Sequence, residues 1–148
     1  MLVVGGFTAC SKDSTSYCGS LKDEQRRLAR LSADSGKPGR AGADALGDSV
    51  DLLARLGEEA PRDVSDEWET LVGAMRGLST AIDESGAAPS DFAGGTRPDG
   101  VTTGQYAAVR QAGEELRSTR VQQAAASIEQ HALDVCKVDL GSGLGAGG

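Results

Sequence analysis

Few residues in this chain carry chemistry, and the cysteines come first. Cys10, Cys18 and Cys136 make an odd count, so two can pair while the third carries something else. Cys10 closes an apolar, uncharged run, Met1 to Ala9, that ends Phe7-Thr8-Ala9. An apolar run, small residues and then a cysteine resemble the end of a bacterial lipoprotein signal, which marks Cys10 for lipidation. The Lys/Arg-rich start of such a signal is missing, so a longer signal is expected upstream of Met1. A buried N-terminal stretch is the alternative, and Gly5-Gly6 argues against it. The run is also far shorter than the ~20 apolar residues that span a bilayer.

The other candidates are weaker. His131 is the only histidine. With no partner at a recognisable spacing, it is expected to be a satisfied or exposed surface side chain, not a catalyst. Glu58, Glu59, Asp63, Asp66, Glu67 and Glu69 form the densest charge cluster, interrupted only by Arg62. It is a candidate acidic patch for a cation or basic partner, but a solvated helix start explains it better. No Cys/His set has zinc spacing, and no Glu-x-x-His pair suggests a di-iron bundle. No Gly-rich loop follows a strand, no nucleophile motif surrounds a Ser or Thr, and no Asp series fits a calcium loop. No catalytic residue, metal or cofactor is therefore expected.

The elements that must position these residues are helical. From Ala60 to Ile82 the apolar residues Val64, Trp68, Leu71, Met75, Leu78 and Ile82 recur at steps of three and four, one face of a helix. Pro61 suits its first turn, and the acids beside it suit a helix N-terminus. A first helix is expected from about Ser16 to Ala33, with Cys18, Leu21, Leu28 and Leu31 inward. The run Ser35-Gly36-Lys37-Pro38-Gly39 ends it. A second helix should run from about Ala43 to Glu59 on Leu46, Val50, Leu53 and Leu56. Asp83 to Gly104 holds Pro89, Gly94-Gly95, Pro98 and Gly100, a composition that favours disorder with Phe92 as its one anchor. A fourth helix begins near Thr103 with Tyr106, Val109 and Leu116 inward, and breaks at Ser118 to Gln122. Thr119 and Gln122 fit a capping box for a fresh start. The last helix then runs from about Arg120 to Lys137 on Ile128, Ala132, Val135 and Cys136.

The expected fold is all-α: an up-and-down four-helix bundle with a broken or kinked last helix. Residues 1–9 are a signal remnant, 10–16 a tether, 17–140 the bundle and 141–148 a flexible glycine-rich tail. Aromatics make up only 3% of the 148 residues, so small aliphatic side chains must fill the core. The net charge of −7 repels phosphate backbones, which argues against nucleic-acid binding. In an up-and-down bundle of four helices the first helix starts at the end where the last one finishes. That brings Cys18 and Cys136 together, and an oxidising compartment would let them form a disulfide; the alternative is two separate buried thiols.

Several segments carry a family likeness. They are Tyr17-Cys18-x-x-Leu21, then Ala60-Pro61 with Val64, Trp68 and Leu71, then Val121, Ala124 and Ile128 leading to Cys136-Lys137-Val138-Asp139-Leu140. In these the chain resembles small secreted or lipid-anchored helical proteins of actinobacteria, a family of unknown function. The resemblance implies a helical bundle outside the cytoplasm and supplies no catalytic residues. The expected role is an extracytoplasmic binding or interaction protein, held at the membrane through a lipid on Cys10 or else secreted, that meets an extracellular protein or small ligand. The alternatives are a small-ligand or metal carrier that uses the bundle core and, last, an enzyme.

Overall fold

The computed structural model describes residues 14–141 and 144. Cys10, the 1–9 run and most of the 141–148 tail therefore lie outside the described residues. The described chain forms α1 (Ser14–Ser35), α2 (Arg40–Glu59), α3 (Ser65–Ser85), a 3-10 turn (Pro89–Phe92), α4 (Thr103–Leu116), α5 (Thr119–His131) and a π turn (Ala132–Cys136). No strand occurs among the described residues. The helices form a bundle: α1 packs on α2, α2 on α3, and α3 on both α4 and α5, while the π turn returns to α1. The helix start takes in Ser14 to Ser16, which the sequence placed in the tether.

The central helix begins later than its periodicity suggests. Ala60 is extended, with φ −61 and ψ 140, as the residue before a proline must be. Pro61 to Val64 make a turn closed by Val64 N–H donating to Pro61 O at 3.1 Å. Pro61 thus lies outside α3, whose first turn carries Asp66 and Glu67. Ala60 and Val64 fold inward from that turn and are buried. The turn before α2 depends on glycine: a Cβ on Gly42 would lie 2.1 Å from Lys37 O.

Residues 86–102, expected to be disordered, form an ordered strap. Gly86 caps α3 in the left-handed conformation, φ 71. Ala88 N–H donates to Asp91 Oδ2 at 2.8 Å, Arg97 reaches Val101 O, and Tyr106 Oη donates to Gly95 O at 2.5 Å. Phe92 stacks on Tyr106, with ring centroids 6.3 Å apart. Local side-chain hydrogen bonds hold the strap, and composition does not count them.

The break before α5 is present, but its cap is Ser118, whose Oγ accepts from Val121 N–H at 3.4 Å. Gln122 instead donates to Leu116 O at 3.0 Å. Val135, expected inward, is 49% exposed, as is Leu133. The π turn winds more residues per turn than an α-helix, so Cys136 takes the inward place after Ala132 and Val135 swings out.

Two apolar clusters fill the interior. The larger gathers Tyr17, Leu21, Leu56, Trp68, Leu71, Val121 and Ile128 toward one end. The smaller joins Leu46, Ala81, Ile82 and Val109. Met75 touches both.

Candidate functional site

Two features of the bundle could carry function: a polar knot at one end and an uncharged cleft between the two apolar clusters. The knot is built where α1 starts, α2 and α5 finish and the turn at residues 60–64 crosses. Cys18 and Cys136 are joined there by a disulfide, Cα to Cα 5.0 Å, across a sequence separation of 118. Beside it Tyr17 is fully buried. Its hydroxyl accepts a hydrogen bond from Trp68 Nε1–H at 2.9 Å, and the two rings meet edge to face. Desolvation by burial pushes the Tyr17 phenol up to about 12; Asp63 adds to the rise, and the bond from Trp68 opposes it.

His131 completes the knot. Its ring centroid lies 5.8 Å from that of Tyr17, and its Nε2 is 3.3 Å from Asp63 Oδ2. That approach is close enough for an ion pair but is not aligned as a hydrogen bond, and neither buried ring nitrogen makes one. The side chain is only 11% exposed, so His131 is neither the exposed nor the satisfied histidine the sequence suggested. Its neighbours come from other elements, which is why its spacing in the chain gave no sign of them. The disulfide and the Tyr17–Trp68 contact tie α1 to the π turn and to α3 at this end.

The acidic residues do not converge. Glu59 accepts from Ser20 Oγ at 2.6 Å, and Asp63 faces His131. Asp66 and Glu67 occupy the first turn of α3, while Glu58 and Glu69 edge an open trough of about 530 Å³ beside Trp68. Among the described residues no group of three or more His, Cys, Asp or Glu could hold a metal ion. No described helix is long and apolar enough to cross a membrane.

The cleft is different in kind. It encloses about 320 Å³ and is walled by Leu46, Leu53, Leu71, Met75, Ile82 and Val121, with Ser32, Ser35 and Gln122 at its rim and Leu144 beside it. No charged residue lines it. The larger trough of about 730 Å³ along α3 and α4 is shallow, open to solvent and edged by Arg76, Glu84, Glu114 and Glu115. Unlike both troughs, the cleft has no charged residue in its lining. Helical periodicity identified most of its wall as core but gave no sign that the core is divided there.

No family model matches the chain, and no curated protein or solved structure matches it.

Proposed function

We propose that the chain is an extracytoplasmic binding or interaction protein, lipid-anchored through Cys10 and related to the actinobacterial proteins it resembles. The observation that carries this reading is the Cys18–Cys136 disulfide. Such bonds persist outside the reducing cytosol, and the paired cysteines leave Cys10 as the odd one. From Cys10 to Ser14 the chain reaches at most ~14 Å, so an anchor there keeps the disulfide end near the bilayer. The loops at the opposite end, around residues 36–39 and 86–102, then face a partner.

The test is fractionation of the protein expressed with its own upstream signal. The wild type should sediment with membranes and be released by Cys10→Ala. Wild-type protein freely soluble in the medium, with cleavage at another residue, would sink the anchor. Two free thiols at Cys18 and Cys136 in unreduced protein would remove the support for the compartment.

The uncharged cleft favours a second reading, a small-ligand carrier that uses the bundle core. Among the described residues no group of three or more His, Cys, Asp or Glu could hold a metal ion, so the carrier reading is argued from the cleft.

A further inference from the structure

We infer that the protein associates with a second copy of itself by seating the exposed basic flank of α1 in an acidic groove that runs over α3. The inference goes beyond the anchor and carrier readings and depends on neither Cys10 nor the cleft.

Small side chains make the groove. The trough beside Trp68 and the trough along α3 and α4 are joined by a third concavity of about 330 Å³. It shares Glu69 and Gly73 with the first and Gly77, Ala112 and Glu115 with the second. Together they follow α3 from Ser65 to Glu84, about 30 Å at ~1.5 Å per residue. α2 walls one end through Ala54 and Gly57, and α4 walls the other through Ala108 and Ala112. Gly73 and Gly77 leave the floor bare, since a Cβ on either would meet nothing within 4 Å. The side chains at a contact set how closely two helices pack, so this floor admits another helix closely.

Charge selects the occupant. Glu58, Glu69, Glu84, Glu114 and Glu115 edge the groove, against Arg76 and Arg120. Arg110 and Arg120 pair with Glu114 and Glu115. Glu69 and Glu84 make no ion pair among the described residues. A basic helix suits that rim, and this chain carries one. Lys22, Arg26 and Arg30 recur every four residues along α1, which sets them on one flank. All three are exposed, and none makes an ion pair among the described residues. Glu24 is turned to Arg27 at 3.9 Å. Ala29 and Ala33, also exposed, keep the flank low beside the arginines. With 22 residues, α1 spans ~33 Å, the length of the groove. The contact joins unlike faces, so each copy needs one of the two to pair.

The experiment uses the full chain in a Cys10→Ser background, so that no intermolecular disulfide forms, and reads size by sedimentation velocity. Size should grow with concentration at low salt. Raising the ionic strength to about 0.5 M should weaken the association at least tenfold, because salt screens exposed charges. Arg26→Glu with Arg30→Glu reverses the flank. Gly73→Gln with Gly77→Gln fills the groove from positions with open space above them. All four positions are exposed, so the helical signal should be kept and the urea midpoint should not fall. Each double variant alone should be monomeric where the wild type associates. Mixed, they should form a one-to-one pair, because the first keeps a working groove and the second a working flank. A wild type that stays monomeric at every concentration would overturn the inference. So would association that survives either double variant, a mixture that stays monomeric, or association that strengthens with salt.

Discussion

Replacing Tyr17 with Phe isolates the polar knot, because the ring keeps its shape and only the hydroxyl goes. The indole N–H of Trp68, which Tyr17 accepts at 2.9 Å, would stay buried without a partner. An orphaned buried donor costs ~1–3 kcal/mol, and that is the expected loss of stability at neutral pH. The same hydroxyl gives a second, independent signature. In the folded protein burial keeps its proton to about pH 12, whereas the unfolded chain releases it near the ordinary value of 10.0. Above pH 10 the unfolded state binds fewer protons than the native state, so stability falls with rising pH; below pH 10 this contribution is complete. Two pKa units correspond to about 2–3 kcal/mol, lost from the wild type between pH 10 and 12 and absent from Tyr17→Phe. Urea unfolding followed by Trp68 fluorescence reads both effects, in a Cys10→Ser background so that no thiolate attacks the disulfide. The advantage of the wild type over Tyr17→Phe should shrink toward zero as pH approaches 12. A variant as stable as wild type at neutral pH, or one that loses stability just as steeply above pH 10, would refute the account of the knot.

Three further outcomes follow from geometry. Gly42→Ala would drive a Cβ to 2.1 Å from Lys37 O and should destabilise by ~1–3 kcal/mol or more; Gly47→Ala, with nothing within 4 Å, should be neutral or stabilising, and urea midpoints that fail to separate the two would contradict the packing at the α1–α2 turn. Removing both Cys18 and Cys136 opens a loop with a sequence separation of 118 and should cost about 4–5 kcal/mol in the chain-entropy account, read as a lower melting temperature with the helical signal kept. Thr102→Ala removes the hydroxyl that accepts from Gln105 N–H at 3.2 Å and should cost ~1 kcal/mol, with amide exchange rising first at the start of α4 and not in α2.

The parts of the fold legible in the sequence are those that repeat or that topology dictates. Leu46, Val50, Leu53 and Leu56 recur with the period of a helix, and all four are buried. The pairing of Cys18 with Cys136 needed only the order of the helices. Single-residue departures were not legible. The turn at Pro61 to Val64 replaces a helical turn because the residue before proline must extend, which periodicity does not register. The π turn rotates Val135 outward by one added residue. The strap at 86–102 is held by Asp91, Arg97 and Tyr106, side chains that look like loop polarity until their acceptors are seen. The knot was half legible. The topology that joins the cysteines also brings Tyr17, Asp63 and His131 to one end, but their contacts depend on side-chain directions that no spacing shows.

The disulfide also decides how the domain bears load. Ser14 lies four residues before Cys18, and Gly141 five residues beyond Cys136. A pull between an anchored N-terminus and anything attached to the C-terminus crosses from Cys18 to Cys136 through a covalent bond. The helices between them form a closed loop outside the path of the force. They hang from that clasp without being stretched, and of the apolar packing only Tyr17, just before Cys18, and the side chains beyond Cys136, among them Val138, Leu140 and Leu144, lie on the loaded chain.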